Sequence, residues 1–214
     1  EQPKILLDAS SIPHLLEAIF PNTPIQTIQP HIPIPGVVRQ VLRSDWAKST
    51  LHGERTTAWH DALASHIRPE HPTLIVCTME HEEELRSTLH ARGHQNIVVA
   101  HYGALRGSNS YKGYDVILAQ VYHPNLDAII HEGRALFADD PHALDERLII
   151  AERTLQASDG SPWAVQVPTF ADARLAALLE RHREAEMVQC ALRGRPFDHP
   201  ESQITLMFSL PLPG

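Results

Sequence analysis

The chain has 214 residues, of which 43% are hydrophobic, and its formal net charge is −8. This length and composition predict a globular chain with one large domain, or with a domain and an appendage. The negative net charge argues against a broadly basic nucleic-acid-binding surface, although it is compatible with a local basic groove. No run of about 18 apolar residues occurs, so we expect no membrane partner.

Cysteine and histidine usage bears on location and metal binding. Cys77 and Cys190 both lie in apolar stretches, which favours a reducing cytoplasm over a disulfide framework. The fifteen histidines form no Cys/His cluster with the spacing of a zinc site, so no metal site is predicted. His81 precedes an acidic run and is predicted to lie on a solvated helix face.

The first part of the chain predicts a strand, a helix and a connector. Lys4–Ala9 has an apolar centre typical of a strand, and Ser11 opens a helix that reaches about Phe20. Five prolines between Pro21 and Gly36 predict a connecting loop with one short strand at Ile25–Ile28. The chain enters its first strand without an initiator methionine, as we expect of a segment of a longer protein.

The rest of the chain predicts a second, larger part over residues 37–214, in which strands alternate with helices. The predicted strands are Val37–Leu42, Thr73–Thr78, Ile97–Tyr102, Asp115–Gln120 and Ile204–Ser209, and the predicted helices are Glu54–Ile67, Glu80–Arg92 and Phe170–Leu192. Continuous apolar strands alternating with helices signal a mainly parallel sheet covered on both faces. The strands predicted to form that sheet are Lys4–Ala9, Thr73–Thr78, Ile97–Tyr102, Asp115–Gln120 and Ile204–Ser209, whereas Val37–Leu42 is predicted only as a strand. Arg147–Gln156 and Trp163–Pro168 flank a turn and predict an antiparallel hairpin. The predicted fold class is therefore α/β, with an added hairpin.

Several polar segments follow the predicted strands. In open parallel sheets, ligands bind beyond the carboxyl ends of the strands. We therefore expect Asp8–Ser10, Thr78, Tyr102–Asn109 and the helix end at Arg193 to share one edge of the sheet. Tyr102, at a strand end, is the best candidate in the chain for stacking on a base.

The loop after Ile97–Tyr102 carries groups suited to phosphate. Gly103 and Gly107 have no side chain, so a ligand can approach the backbone closely there. Arg106 offers a planar, charged guanidinium group. Ser108 and Asn109 add a hydroxyl and an amide, so the loop predicts contact with a nucleotide or a sugar-phosphate backbone. An ordinary polar loop is the alternative. The sequence has no Gly-x-x-x-x-Gly-Lys-Ser/Thr loop, so the phosphate cradle is incomplete.

A second candidate lies at the end of the last predicted helix. The four-residue spacing places Gln189 and Arg193 on one helix face. Arg195 follows, and Pro196 ends the helix. Arginine binds phosphate through its planar, permanently charged guanidinium group, so these residues predict contact with a phosphate. The alternative is a surface helix that ends in solvated arginines.

Four segments together resemble helicase motifs in their usual order. Leu7–Ser10 resembles the third motif of superfamily 2 helicases, and the strand Thr73–Thr78 resembles the fourth. Ala104–Asn109 resembles the fifth with Asn in place of the commoner Asp, and Gln189–Arg195 resembles the sixth. The chain is thus similar to the C-terminal RecA-like domain of superfamily 2 helicase-like proteins, particularly helicase–primase-like proteins of prokaryotes and their mobile elements. It departs from the sixth motif at Leu192, where the family has glycine, and in its second arginine, which comes six residues after the glutamine rather than seven.

The resemblance implies a nucleic-acid-dependent ATPase and a role for each matching residue. The implied catalytic residues are Arg193, Arg195 and Gln189; the nucleotide-binding residues are Gly107, Ser108 and Asn109; the nucleic-acid-binding residues are Thr78, Tyr102 and Arg106; and Asp8 and Ser10 couple the domains. ATP and Mg²⁺ would be held by an N-terminal RecA-like domain of the same protein, so this chain alone would hold no cofactor and be inactive. Single-stranded or duplex nucleic acid would be the other partner. A non-catalytic, helicase-derived docking module is the alternative.

Overall fold

The structure is a computed structural model that describes residues 13–20, 22–26, 28, 32–42, 46–157 and 159–212. The predicted strand Lys4–Ala9 and the predicted coupling residues Asp8 and Ser10 lie outside the described residues. Of the predicted strand Ile25–Ile28, the described residues 25, 26 and 28 are not in a strand, so that prediction is wrong for them.

The described residues form five helices and seven strands. The helices are α1 Pro13–Ile19, α2 Glu54–Ala64, α3 Glu82–Ala91, α4 Leu126–Leu136 and α5 Ala173–Ala191. The strands are β1 Val37–Gln40, β2 Thr73–Cys77, β3 Ile97–His101, β4 Asp115–Leu118, β5 Leu148–Gln156, β6 Pro162–Phe170 and β7 Gln203–Leu206. Helix α4 was not among the sequence predictions. It begins at Asn125, whose side chain accepts hydrogen bonds from the backbone of Asp127 and Ala128, the usual way of satisfying the first donors of a helix.

Five strands form one parallel sheet in the order β1-β7-β4-β2-β3. Strand β2 is buried along its whole length, as its continuous apolar run predicts for an interior strand of a covered sheet. Strands β5 and β6 form a separate antiparallel hairpin. The predicted fold class, an α/β chain with a parallel sheet flanked by helices and an added hairpin, is confirmed.

Two compact units make up the chain. The first contains Glu1–Pro30, Pro124–Arg153 and Gln166–Ala185, and the second contains His31–His123, Thr154–Val165 and Glu186–Gly214. The boundary that the sequence predicts after residue 36 stays a prediction. All the described candidate residues belong to the second unit, which also holds the five-stranded sheet.

Each unit has its own apolar core. In the first unit, Leu15 of α1 and Ile129 of α4 pack with Leu175 and Leu178 of α5. In the second unit, helices α2 and α3 cover the sheet with the side chains Trp59, Leu63, Leu85 and Leu89, all fully buried. Burial of such side chains is worth about 1.5–3 kcal/mol each, so these helices hold the sheet that positions the candidate loop.

An ion pair fastens the amino end of the sheet. Arg68 donates to both carboxylate oxygens of Asp115, at 2.7 and 2.6 Å. Asp115 begins β4, and its Oδ1 also accepts from the backbone N–H of Gln203, at the start of β7, at 2.8 Å. The side chain of Asp115 is only 5% exposed, so its charge depends on these donors for compensation.

Candidate functional site

The loop between β3 and β4 carries most of the predicted site. It leaves the carboxyl end of β3 and enters the amino end of β4, which lies on the other side of β2 in the sheet. Near its end, the backbone N–H of Gly113 donates to the carbonyl oxygen of Gly194 at 2.9 Å. The loop is therefore attached to the turn that follows α5.

Glu186 of α5 holds the first half of this loop. Its Oε1 accepts from the backbone N–H of Gly103 at 2.8 Å, and its Oε2 accepts from Nε and Nη2 of Arg106 at 3.1 and 2.9 Å. The Glu186 side chain is 6% exposed, whereas that of Arg106 is 70% exposed. The hydrogen bonds that Arg106 donates to Glu186 raise the pKa of Arg106, which stays charged with much of its guanidinium in solvent. Sequence reasoning missed this role of Glu186, although a carboxylate beside Met187 and one turn before Cys190 lies on an apolar stretch of the helix, which signals a buried partner for a cation.

Both cysteines are buried and neither forms a disulfide with a described residue. The Sγ of Cys190 lies 3.8 Å from Oε1 of Glu186, and burial raises the pKa of its thiol to about 12. Burial likewise raises the pKa of the Cys77 thiol to about 12. Since the thiolate is the reactive form, these shifts disfavour reactivity of both thiols at neutral pH.

The arginines after α5 meet the second half of the loop. Arg193 lies in the 3₁₀ turn Leu192–Gly194, is half-buried, and donates from Nη1 to the carbonyl oxygen of Ser108 at 2.9 Å. Arg195 is exposed and donates from Nη2 to Oδ1 of Asn109 at 2.7 Å. The fold thus joins two predicted segments that lie about 85 residues apart in the chain.

Neither of these arginines forms an ion pair with a carboxylate of the described residues. Ten described arginines form ion pairs with carboxylates: Arg68, Arg86, Arg92, Arg106, Arg134, Arg147, Arg153, Arg174, Arg181 and Arg183. Arg193 and Arg195 instead bind neutral oxygens, and no described carboxylate lies within ion-pair distance of either. The Nε of Arg193 is buried without a hydrogen-bond partner among the described residues. Two arginines without a carboxylate partner among the described residues therefore contact adjacent residues of one loop, in a chain whose net charge is −8.

The position of this pair differs from the prediction. A Cβ atom on Gly194 would overlap the carbonyl oxygen of Tyr114 and lie 3.3 Å from Cγ2 of Val116. Tyr114 immediately precedes β4, so Arg193 lies at the amino edge of the sheet. The expectation that Arg193 shares the carboxyl edge with Thr78 is wrong, because the helix before a parallel strand ends where that strand begins.

The residues at the carboxyl edge bind mainly one another. The backbone N–H and the hydroxyl of Thr78 both contact Oε1 of Gln120 at 3.1 Å, and His81 Nδ1 lies 2.9 Å from the same hydroxyl. The Tyr102 hydroxyl donates to the carbonyl oxygen of Gln120 at 2.6 Å. Tyr102 is 7% exposed and its ring packs against Tyr122, so the ring is closed to a base in this structure and its stacking role stays a prediction. His81 is buried, so the solvated position predicted for it is wrong.

The remaining predicted residues are open to solvent. Gln189 is exposed on the last turn of α5, and its side chain has no hydrogen-bond partner among the described residues. Gly107 is exposed and has a φ of 73°, a conformation that glycine adopts without steric cost. Among the described residues, no group of three or more His, Cys, Asp or Glu side chains could hold a metal ion.

No protein-family model matches the chain, and no curated protein or solved structure matches it either. Within the described ranges, no helix is long and apolar enough to cross a membrane. The function proposed below therefore depends on the residues and geometry described above.

Proposed function

We propose that this chain is the second motor domain of a nucleic-acid-dependent ATPase of the helicase type. Its main task is to present Arg193 and Arg195 to a triphosphate held chiefly by a neighbouring RecA-like domain. The observation that supports this most directly is the meeting of these two arginines with Ser108 and Asn109, without a carboxylate partner among the described residues.

The chemistry of phosphoryl transfer explains why such a site is useful. The transition state spreads negative charge over the phosphoryl oxygens, and an arginine fork stabilises that charge. Gln189, which is exposed one turn earlier, orients the arginines or the attacking water. Gly107, Ser108 and Asn109 contact the nucleotide from the loop. The sequence lacks a Gly-x-x-x-x-Gly-Lys-Ser/Thr loop, so the neighbouring domain supplies the remainder of the ATP and Mg²⁺ site.

The first half of the same loop provides the strand contact. Arg106 is charged and 70% exposed, which suits a sugar-phosphate backbone. Thr78 and Tyr102 are the other nucleic-acid-binding residues of the proposal, and Asp8 and Ser10 couple this domain to the neighbouring one. Because Glu186, Arg193 and Arg195 fasten the loop to α5 and its final turn, a change at the phosphate reaches the strand contact.

Turnover measurements test this proposal. The 214-residue chain alone has no ATPase activity above background, because a two-part phosphoryl-transfer site loses most of its rate without one part. In a protein that joins this chain to its ATP-binding domain, Arg193→Ala or Arg195→Gly lowers strand-stimulated turnover roughly 10³-fold and leaves ATP binding largely intact. Glycine is chosen at position 195 because the φ of Arg195 is 56°.

Arg92→Ala is the matched control, because it removes an arginine that pairs with an Asp61 side chain that is 64% exposed. We expect the turnover of Arg92→Ala to equal that of the wild type. Wild-type turnover in both arginine variants, or strong hydrolysis by the chain alone, would contradict the motor role. Unchanged turnover in both variants would favour the docking module.

A further inference from the structure

We propose that the outer edge of strand β5 is a docking site for a partner protein, which adds an extended segment with basic and apolar side chains to the β5–β6 hairpin as a third strand. The segment pairs through its backbone with Ile150 and Glu152 and runs antiparallel to β5. These two residues belong to the first unit, whereas the arginine site of the proposed function belongs to the second. The two proposals are therefore independent.

Two backbone hydrogen bonds define the register of the hairpin. The N–H of Ala171 donates to the carbonyl oxygen of Arg147 at 2.9 Å, and the N–H of Ala157 donates to that of Ser161 at 2.9 Å. Both pairs of residue numbers have the same sum, so the strands pair without a net insertion. In an antiparallel ladder, only every second pair exchanges hydrogen bonds. The odd-numbered residues of β5 therefore bond to β6, and the even-numbered residues direct their N–H and carbonyl groups away from it.

The two edges of the hairpin differ in their capacity to take another strand. On β6, the even-numbered, outward-directed positions include Pro162 and Pro168, and proline has no N–H to donate, which protects that edge. On β5, the outward-directed residues Leu148, Ile150 and Glu152 all keep their N–H groups. The backbone groups of Ile150 and Glu152 make no hydrogen bond to the described residues. Of the two edges, that of β5 is therefore the one open to strand addition.

The exposed side chains at this edge indicate the chemistry of the partner. Leu148 and Ile150 are 53% and 61% exposed, so a strand beside them is stabilised by apolar side chains opposite them. Glu152 is also exposed and forms no ion pair with the described residues, whereas the adjacent Arg153 pairs with Glu184. An unpaired carboxylate in this row favours a basic residue opposite it. From its N-terminus, the partner segment therefore alternates one basic and then two apolar residues with residues of any type.

A second copy of the chain matches this edge less well. The outward-directed, even-numbered residues of β5 include no cation, so no antiparallel register with a second copy places a basic residue opposite Glu152. Pairing centred on Ile150 places Leu148 of each copy opposite Glu152 of the other, and pairing centred on Glu152 places two carboxylates together. Like charges directly opposite each other destabilise a strand pair. The edge therefore fits a basic segment better than it fits itself.

Binding of a designed peptide tests the proposal. The probe is the fluorescein-labelled peptide Lys-Thr-Arg-Thr-Val-Thr-Val-Thr-Lys, in which the arginine and the two valines are designed to face Glu152, Ile150 and Leu148. Fluorescence anisotropy measures its binding to the 214-residue chain. The control peptide is methylated at the backbone nitrogen of the first valine, which removes the N–H that pairs with Ile150 and keeps every side chain. We expect the methylated peptide to bind about tenfold more weakly, because it loses a main-chain hydrogen bond.

Two variants of the chain and a matched control locate the site. Ile150→Lys replaces an apolar contact with a cation at the edge, and we expect it to bind the peptide about tenfold more weakly or worse. Glu152→Lys turns attraction of the arginine into repulsion, and we expect a loss of about threefold or more. Ala164→Lys adds a cation to the exposed, outward-directed row of β6 and leaves binding unchanged. Circular dichroism checks that the variants fold, and Glu152→Lys carries the test if Ile150→Lys does not.

Hydrogen exchange of single amides distinguishes the possible occupants of the edge. In the free chain, we expect the N–H groups of Ile150 and Glu152 to exchange quickly and those of Ala151 and Arg153 slowly, and the peptide to slow the first two. Protection of Ile150 and Glu152 without peptide would show that a second copy or another part of the chain covers the edge, and would overturn the proposal. Equal binding of the methylated peptide, wild-type binding by the folded edge variants, or no binding by the wild type would overturn it as well.

Discussion

Arg195 adopts a backbone conformation that is unusual for its residue type. Its φ and ψ are 56° and 57°, in the left-handed region that costs an L-residue about 1 kcal/mol. The carbonyl oxygen of Arg195 accepts from the backbone N–H groups of Asp198 and His199 at 3.0 and 2.9 Å, which stabilises the turn. Strain of this kind often accompanies functional sites, and here it places the guanidinium beside Asn109.

The neighbouring Gly194 is required by close packing. Gly194→Ala places a methyl group against the backbone of Tyr114, which cannot move without shifting β4. We expect the free energy of unfolding to fall by about 3 kcal/mol, at the upper end for overpacking. Urea unfolding followed by circular dichroism measures it.

Gly160→Ala is the control for this prediction. Gly160 has a φ of 82° with no atom near its Cβ position, so alanine costs about 1 kcal/mol for backbone conformation alone. An equal loss in both variants would show that the contact with Tyr114 is unimportant.

At the scale of elements, α5 and the β3–β4 loop form one assembly. Glu186 binds the start of the loop, and the turn after α5 binds its second half through Arg193 and Arg195. Gly113 then donates to Gly194 just before β4. The loop replaces the helix that usually connects parallel strands.

A second prediction at this scale concerns the junction of β4 with β7. Arg68→Ala leaves the buried carboxylate of Asp115 without its cation, and we expect a loss of about 3 kcal/mol in the free energy of unfolding, the lower end for breaking a buried pair. Arg92→Ala removes an Arg–Asp pair with the same 2.6 Å separation, but its Asp61 is 64% exposed, so the loss is about 0–1 kcal/mol. Chemical denaturation of the two variants compares them. Similar losses would contradict the assignment of Asp115 as a structural anchor.

At the scale of the whole molecule, the buried thiols predict how stability depends on pH. Burial raises the pKa of Cys77 and of Cys190 from 9.0 to about 12. Between these values the unfolded chain loses thiol protons that the folded chain keeps, so stability falls as pH rises. Each thiol contributes a slope of about 1.4 kcal/mol per pH unit, and below pH 9 the contribution is fully present.

The variant Cys190→Ala isolates this effect. Urea unfolding between about pH 9.5 and pH 11 should show a slope shallower than that of the wild type by about 1.4 kcal/mol per pH unit. The cavity left by the substitution lowers stability at every pH, but it does not change the slope. Identical slopes for the two proteins would show that Cys190 ionises in the folded chain.

The net charge of the chain differs in sign from the local charge at Arg193 and Arg195. A net charge of −8 argues against a broad basic surface. Arg193 and Arg195 nevertheless contact adjacent residues of one loop and have no carboxylate partner among the described residues. Overall charge governs long-range attraction, whereas recognition of a phosphate depends on groups within a few ångströms. The two observations are therefore compatible with a narrow anion site.

Much of the fold is determined by the sequence itself. The continuous apolar runs at β2, β3 and β4 predict buried parallel strands, and the structure confirms them with ends that shift by at most two residues. The reason is that burial follows local hydrophobic patterns. Helix α4 also carried a local signal in its cap Asn125, but Gly133 in its interior weakened the helical pattern.

Only the tertiary structure decided how the candidate residues are arranged. Arg193 lies at the amino edge of the sheet, Glu186 is the buried partner of Arg106, and Arg195 binds Asn109 rather than a carboxylate. These contacts join residues 80 or more positions apart, and they depend on strand order, which hydrophobic periodicity does not encode. The sequence by itself determined which elements form, because that choice is local; the fold decided which charges meet, because that depends on how the elements pack.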